Sequence, residues 1–404
     1  MRRLTRVRDG DRGAIAMIVA MLFGFGVMLA LGALTVDVGN INADRRQLQN
    51  GADAVALSAA QTCAKTGTCD PTATTLQDLA NANAADNATS IRRVDGGTPA
   101  ICGNALGLLA CPASTQSMSN LQECPVEAPA GVNYVRVYTE TKNSANNKNI
   151  LPYFFGAAIT GIEGANQQAC ATVAWGPLTG RVNALPLTFS YCAWQKATGA
   201  KPPSNSGVLQ APPTGTPPGY GGAGQPSYPP ASAEQILFTA KAGSACKTWN
   251  GHNAPGGFGG VDEGTGTKCS VLASVNGWLH TDSGNDAPCK KDTTTLNDLV
   301  GTVVNLPIFD CMMNVAGPIT GTTDCASGNG ENLYYHVAGY GAFFISGYHF
   351  SGDTHPSILP GSTVVCPGSE RCISGWFTKK LISQGEMDLT NAPNLGTTVL
   401  QTLG

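Results

Sequence analysis

The sequence predicts an α+β protein, with a long N-terminal transmembrane helix that continues into a disulfide-rich extracellular ectodomain of mixed helices and antiparallel strands. Three observations lead to this prediction. Residues 14–36 form an apolar run without a single charge, and about 20 apolar residues are enough to cross a bilayer. A helical pattern continues directly after that run. All 14 cysteines lie beyond it.

Arginine is concentrated before the apolar run. Cytoplasmic flanks of membrane helices carry an excess of Lys and Arg. The sequence therefore predicts a single-pass protein in the cell membrane, with residues 1–13 as a cytoplasmic basic segment and the C-terminal ectodomain outside. The arginines are Arg2, Arg3, Arg6, Arg8 and Arg12 before the run, and Arg45 and Arg46 after it.

A cleaved signal peptide is the alternative to a retained helix. The basic start fits a signal peptide, and Ala30-Leu31-Gly32 is a passable small-residue cleavage site. The apolar run is longer than the usual signal core of about 7–15 residues, however. The residues that follow also favour a retained helix.

Residues 37–61 are predicted to be an extracellular continuation of the same helix. They contain no proline, and apolar residues recur at spacings of seven, four, three and four, which is a narrow seam on a helix. The prediction is one continuous helix over residues 14–61, roughly 72 Å long at ~1.5 Å per residue. The seam is Ile41, Leu48, Ala52, Val55 and Ala59, and the polar face carries Asp44, Arg45, Arg46 and Asp53.

Composition limits the partners and the chemistry. The net charge of −3 argues against nucleic acid. An even number of cysteines, all on the predicted outside and without a CxxC pair, indicates structural disulfides rather than zinc or redox sites. The likeliest local pairs are Cys63 with Cys69 and Cys366 with Cys372, because each would close a short loop. The remaining connectivity stays open.

The rest of the chain divides by composition. Residues 62–195 are predicted to be a first ectodomain region, with a helix over 71–94 and strands over 132–140 and 168–175. Residues 196–232 are a Pro/Gly-rich loop or linker, and 233–404 form a second region whose last thirty residues are expected to be loosely ordered. Whether the Pro/Gly-rich stretch separates two domains or is an insertion in one stays open.

Catalytic signatures are absent: the chain has no GxSxG, HExxH or Walker lysine. We therefore predict a protein that is not an enzyme, with no catalytic, cofactor-binding or metal-binding residue. His349, Asp353 and His355 could ligate zinc, but the surrounding Gly and Pro favour a solvated loop. His336 is expected to stand alone.

The N-terminal residues resemble the TadE/TadG-like proteins of the Flp (Tad) pilus-assembly family. The resemblance rests on RGAIA at 12–16, the apolar helix, VDVG at 36–39 and RRQLQNGADAVALSAA at 45–60. It covers about 50 residues. It implies a non-enzymatic component of a type IV-like pilus system, with the lipid bilayer and other Tad/Flp pilus components as partners.

The chain departs from that family in two places. Prepilin-like members have Gly before the peptidase cleavage point and Glu at the fifth position after it. Here Gly13 precedes Ala14, so processing at this bond is a candidate, but the fifth position is Ile18. The missing charge favours an accessory, pseudopilin-like or anchoring component over a major fibre subunit. The DxSxS metal motif of TadG-type members does not occur in this chain.

Two other functions compete with the pilus reading. The first is a surface binding module or adhesin unrelated to pilus assembly, with an aromatic row as its binding face. The second is a membrane-tethered hydrolase with a triad assembled from distant residues. The aromatic row is Tyr334, Tyr335, Tyr340, Phe343, Phe344, Tyr348 and Phe350. At roughly strand spacing, such residues belong to a core more often than to a binding face.

Overall fold

The computed structural model of the chain describes residues 10–93, 99–111, 128, 132–200, 207–210, 231–238, 258–261, 269–282, 288–290, 293–319, 325, 333–362, 371–382 and 392–403. Within these residues a long apolar helix precedes a region rich in strands and disulfides. The helices are α1 (Gly10–Thr66), α2 (Thr74–Ala82), α3 (Gly156–Thr160), α4 (Tyr191–Thr198) and α5 (Leu296–Leu299), with a 3-10 turn at Ala231–Ala233.

The strands fall into two main sheets and two small two-stranded sheets. In chain order they are β1 (Thr89–Ser90), β2 (Ile101–Gly103), β3 (Asn133–Thr141), β4 (Leu151–Pro152), β5 (Gly164–Ala165), β6 (Gln168–Pro177), β7 (Val182–Ala184), β8 (Leu187–Ser190), β9 (Gln235–Phe238), β10 (Phe258–Val261), β11 (Val271–Ala273), β12 (Trp278–Asp282), β13 (Val303–Met313), β14 (Tyr334–Phe350), β15 (Asp353–His355), β16 (Cys372–Thr378), β17 (Lys380–Ile382) and β18 (Thr397–Thr402). The two small sheets pair β4 with β5 and β7 with β11.

Helix α1 is one continuous element of 57 residues, close to the predicted 14–61. The second predicted helix is shorter than expected, because α2 ends at Ala82 and β1 follows. Asparagine side chains explain the early end. Asn81 Oδ1 accepts from the Thr89 backbone N–H, and Asn87 adopts a left-handed backbone. Asn favours such turns because its amide competes with the helical hydrogen bonds.

The first sheet carries α1. Its order is β1-β3-β6-β18-β17, with β2 added beside β3. The buried seam of α1 lies on this sheet with α2 beside it, and Leu48, Ala52, Val55 and Ala59 of that seam are buried as predicted. The core opposite the seam is built by Val135, Val137, Ala171, Val173 and Trp175.

The second sheet has eight strands and is aromatic in its core. Its main order is β12-β10-β8-β13-β14-β16-β9, with β15 beside β14. The aromatic row predicted as a binding face lies mainly on β14, and its members from Tyr335 to Phe350 are buried. The burial contradicts the binding-face alternative and agrees with the core interpretation that the strand spacing favours. The side chains on both faces of β14 pack against core partners, such as Phe344 against Trp376 and Phe343 against Phe377.

Strand pairing crosses the predicted division in both directions. Strand β8, from the first predicted region, pairs with β13, and β18, from the second, pairs with β6. Residues 207–210 also approach β16 through a bridge from Gln210 to Thr378. These pairings favour the insertion alternative for the Pro/Gly-rich stretch. The division itself stays a prediction.

The expectation of a loosely ordered C-terminus was wrong for the described part. Strand β18 lies between β6 and β17 in the first sheet, and Val399 is completely buried there. The last residues look polar, but threonine is a strand former and Thr397 and Thr398 are buried with Val399. The C-terminus therefore completes the sheet that carries α1.

We expect β18 to be required for folding, and two positions on it provide the comparison. Val399→Asp places an unpaired charge in the core and should lower the free energy of unfolding by about 3 kcal/mol or more. Gln401→Asp changes an exposed side chain on the same strand and should stay within ~0.5 kcal/mol. Thermal unfolding of the purified full chain in detergent measures both. Equal midpoints would contradict the assigned place of β18.

Candidate functional site

The N-terminal part of α1 exposes an apolar surface that the described protein does not cover. Over residues 16–36, here named the anchor stretch, the described side chains are exposed or half-buried, and Phe23, Phe25 and Met28 are among the most exposed. In the described residues, α1 is the one helix that is long and apolar enough to cross a membrane. The anchor stretch therefore has the length and composition of a membrane span or a signal sequence.

Asp37 marks the point where α1 changes surroundings. It is the first buried residue after the anchor stretch. Its carboxylate accepts hydrogen bonds from the backbone N–H groups of Phe154 at 2.8 Å, Phe155 at 3.3 Å and Gly156 at 2.6 Å. We name this arrangement the Asp37 clamp. It satisfies N–H groups at the start of α3, which have no partner within the helix.

Glycine permits the close approach in the Asp37 clamp. A Cβ added at Gly156 would lie 3.0 Å from Asp37 Oδ2 and 3.3 Å from the Tyr153 ring. Gly161 then ends α3 with a left-handed backbone, which glycine adopts without steric cost. The two glycines therefore allow a short helix to form directly against α1.

Beyond the clamp, α1 packs on the first sheet through small side chains. We name residues 37–66 the docking half. Ala52, Ala56 and Ala60 are completely buried, so the helix backbone lies close to β3 and β6. The side chains that fill the contact come from the sheet, with Val135, Val173 and Trp175 in the same core. A larger residue on the helix would have no room.

Polar side chains of the docking half tie it to the sheet at its edges. Asp44 accepts from the Thr141 hydroxyl at 2.6 Å, and Arg45 donates to Gln167 Oε1 at 2.6 Å. Gln49 donates both to Asp53 at 3.0 Å and to the Cys170 carbonyl at 3.1 Å. The sequence placed Asp44 and Asp53 on the polar face of the helix, and the structure shows both half-buried and hydrogen-bonded.

Three carboxylates are harder to ionise than usual: Asp44 and Asp53 in this interface, and Glu140 on β3. Burial raises the pKa of Asp44, against a lowering contribution from Thr141. Burial also raises the pKa of Asp53, partly offset by the Gln49 amide. The pKa of Glu140 is raised by burial as well, although Asn166, Arg92 and Asn149 all act in the opposite direction. Desolvation therefore outweighs the hydrogen bonds in each case.

The comparison with protein-family models decides what this helix is similar to. Residues 13–62 match the model described as putative Flp pilus-assembly TadE/G-like. The resemblance predicted from the sequence is confirmed over these residues. No curated protein and no solved structure matches the chain. The TadE/G-like segment thus comprises the anchor stretch, Asp37 and most of the docking half, and the match supports a role associated with Flp pilus assembly.

The structure places the predicted site residues as follows. The Cys63 and Cys69 sulfurs are 2.08 Å apart in a disulfide at the end of α1. Cys372 is also disulfide-bonded, but Cys366 lies outside the described residues, so their pairing stays a prediction. Gly13 and Ala14 lie within the first turns of α1, and their processing stays a prediction too. Three further disulfides join Cys102–Cys111, Cys269–Cys289 and Cys311–Cys325.

Two predictions about histidines differ from the structure. His336 does not stand alone, because its Nδ1 lies 2.6 Å from Asp310 Oδ1 across neighbouring strands β14 and β13. The loop predicted around His349, Asp353 and His355 is wrong, because His349 lies on β14 and the other two lie on the short strand β15 that pairs with it. His355 Nδ1 lies 2.7 Å from the Pro356 carbonyl oxygen. Among the described residues, no group of three or more His, Cys, Asp and Glu could hold a metal ion.

Sequence reasoning missed the role of Asp37. The residue was part of the quoted VDVG motif, yet no partner could be assigned to it. Phe154 lies 117 residues further along the chain. The available indication was a lone acidic residue directly after an apolar run, since a carboxylate at such a boundary requires hydrogen-bond donors.

Removing the Asp37 carboxylate should loosen the start of α3. Asp37→Ala leaves the N–H groups of Phe154, Phe155 and Gly156 without that acceptor, a change worth about 1–2 kcal/mol for a helix cap. Amide exchange at Phe154 should rise about 5- to 30-fold, measured by hydrogen-exchange mass spectrometry of the full chain in detergent. Asp37→Asn keeps one acceptor oxygen and should give a smaller increase. Unchanged exchange in Asp37→Ala would disprove the clamp.

The raised carboxyl pKa values predict that stability falls as pH rises. In the window that opens at the ordinary carboxyl pKa of about 4 and extends up to the raised values, the folded chain binds more protons than the unfolded chain. The stability that these carboxyl groups contribute is fully present below that pH window and is lost above it. Asp53→Asn should therefore stabilise the protein at neutral pH and flatten the dependence of its thermal midpoint on pH.

The control for this pH dependence is Asp70→Asn. Asp70 is exposed, and hydrogen bonds from Thr72 lower its pKa, so its replacement should not flatten the profile. Thermal midpoints of the wild type and both variants, measured over the acidic to neutral range, make the comparison. An Asp53→Asn profile parallel to that of the wild type would rule out the assigned role of Asp53.

Proposed function

We propose that the protein is a non-enzymatic accessory component of a Flp pilus-assembly system, with a pseudopilin-like or anchoring role. One observation carries the proposal: the segment that matches the TadE/G-like model is also the segment that joins an exposed apolar helix to a folded ectodomain. A helix with these two halves can fix a folded domain at the membrane surface. This is the mechanical requirement of an anchoring subunit.

Features of the chain favour an accessory role over a fibre subunit. The position five residues after Gly13 is Ile18 rather than an acidic residue, so the charge that would pair with a neighbouring subunit's amine in a fibre is missing. The docking half buries its seam against its own sheet, which leaves that face unavailable for packing against other helices. Processing between Gly13 and Ala14 would be compatible with either role.

We infer that the N-terminus is cytoplasmic and the ectodomain extracellular. The five arginines of residues 1–13 support this orientation. The disulfides support it independently, since they persist in oxidising compartments. The bilayer and other pilus components would then contact opposite parts of one molecule, through the anchor stretch and the ectodomain respectively.

Deletion of the gene tests the function. We expect surface pili to disappear under the electron microscope while immunoblots show that the major pilin is still made. The full chain with a C-terminal epitope tag should restore pili and expose the tag on intact cells. Pili of normal number and length in the deletion strain would overturn the assembly role and favour the surface-binding alternative.

Two matched double variants test whether pilus assembly depends on the membrane anchor. Phe25→Lys with Met28→Lys puts two charges in the anchor stretch, each costing about 2.5–3.5 kcal/mol at the centre of a membrane helix, and should fail to restore pili. Leu272→Lys with Val315→Lys changes exposed apolar residues of the ectodomain and should restore them. Restoration by both pairs would contradict a role for the membrane anchor.

A further inference from the structure

An exposed apolar tip lies directly beside the end of the anchor stretch. It is built by residues 150–162, which contain no charged residue. Phe154 is 71% exposed and Phe155 is 49% exposed, and Ile162 is exposed as well. Scattered apolar residues are common on surfaces, but here two consecutive phenylalanines lie at one turn. The surface is therefore a candidate for contact with an apolar medium or partner.

The two ends of the tip are held together by backbone hydrogen bonds. Strands β4 and β5 pair at its base, and the Tyr153 N–H donates to the Glu163 carbonyl at 3.1 Å. The base also carries an ion pair between Lys148 and Glu163 at 3.6 Å. Charges are thus confined to the base, while the far end presents aromatic and aliphatic side chains. This distribution matches an element that lies in a membrane interface.

The Asp37 clamp fixes the height of the tip relative to the anchor stretch. Asp37 follows the last residue of the anchor stretch and binds the backbone of Phe154, Phe155 and Gly156. The two phenylalanines therefore lie at the level where α1 leaves the apolar run. The clamp also satisfies N–H groups that would each cost several kcal/mol if they faced lipid without a partner.

We propose that the tip at residues 150–162 inserts Phe154 and Phe155 into the outer interface of the lipid bilayer, as a second membrane contact beside the helix. This proposal rests on the membrane anchoring proposed above. Apolar faces of this kind enter the boundary between headgroups and acyl chains by about 5–10 Å. Two contacts, one on α1 and one on the tip, would restrain the tilt of the ectodomain, which one helix alone leaves free to rotate.

Lipid fits the tip better than a protein partner because the apolar surface is continuous. The anchor stretch and the tip meet at Asp37, so a bilayer that surrounds residues 16–36 reaches Phe154 without any further element. A second copy of the chain or another pilus protein would have to bind at the same height, within the headgroup region. Those occupants are the alternatives that the experiment distinguishes.

Site-specific quenching tests the proposal on the full chain. The protein is placed in nanodiscs of phosphatidylcholine and phosphatidylglycerol, with a single copy per disc, and a genetically encoded fluorescent amino acid replaces Phe154. Lipids with a nitroxide on the upper acyl chain should quench this probe strongly, whereas aqueous iodide should quench it weakly. The absence of other proteins ensures that any protection from iodide comes from lipid.

The control position is Leu106, whose exposure of 73% matches that of Phe154. Its carbonyl accepts from the Cys69 N–H, near the far end of α1 at Thr66, which lies about 44 Å along the helix from Asp37. A probe at Leu106 should show the reverse pattern, with strong iodide quenching and weak lipid quenching. We expect lipid quenching at position 154 to exceed that at position 106 several-fold.

A third probe at Phe25 separates the two proposals. Lipid quenching at Phe25 and Phe154, but not at Leu106, supports the tip contact. If lipid quenches the probe at Phe25, but only iodide quenches the probe at position 154, the tip contact is overturned. Membrane anchoring then stands. That result would assign the surface to a protein partner or a second copy. Absence of lipid quenching at Phe25 would overturn both proposals.

Discussion

The contact between the docking half of α1 and the first sheet is the interaction on which the rest of the molecule depends. This helix has 57 residues. Its first part is apolar on all sides, and its second part is apolar along one seam. Alanines at the seam bring the backbone close to β3 and β6, and valines from the sheet fill the contact. The ectodomain is therefore fixed to the helix by tight packing, which a flexible linker could not provide.

Polar groups at the edges of this interface are partly desolvated, which makes their carboxylates harder to ionise. Asp44 and Asp53 are buried enough that their pKa values rise, yet each has hydrogen-bond donors in place. Buried carboxylates with incomplete compensation add little to stability but define one arrangement of the helix on the sheet. The disulfide between Cys63 and Cys69 closes the end of α1. Packing, polar ties and a covalent bond thus act on the same element.

The second sheet is built around β14 and is connected to the first by chain crossings. Strand β8, from the N-terminal half of the chain, pairs with β13 in the second sheet. Strand β18, from the C-terminal end, pairs with β6 in the first sheet. Because of this topology, the sheet that carries α1 includes the C-terminal strand. The role associated with Flp pilus assembly is consistent with such a construction.

The sequence by itself determined the features that depend on neighbouring residues. The anchor stretch is a matter of length and composition, the seam of α1 follows from a period of 3.6, and the Cys63–Cys69 loop spans only six residues. The resemblance to TadE/G-like proteins lay within the same segment. Only the tertiary structure decided the rest: the partner of Asp37 lies 117 residues away, β18 joins a sheet begun by β1, and the aromatic row of β14 is covered on both faces. These contacts join segments far apart in the chain, and local pattern carries no information about which distant strand or loop will meet a given side chain.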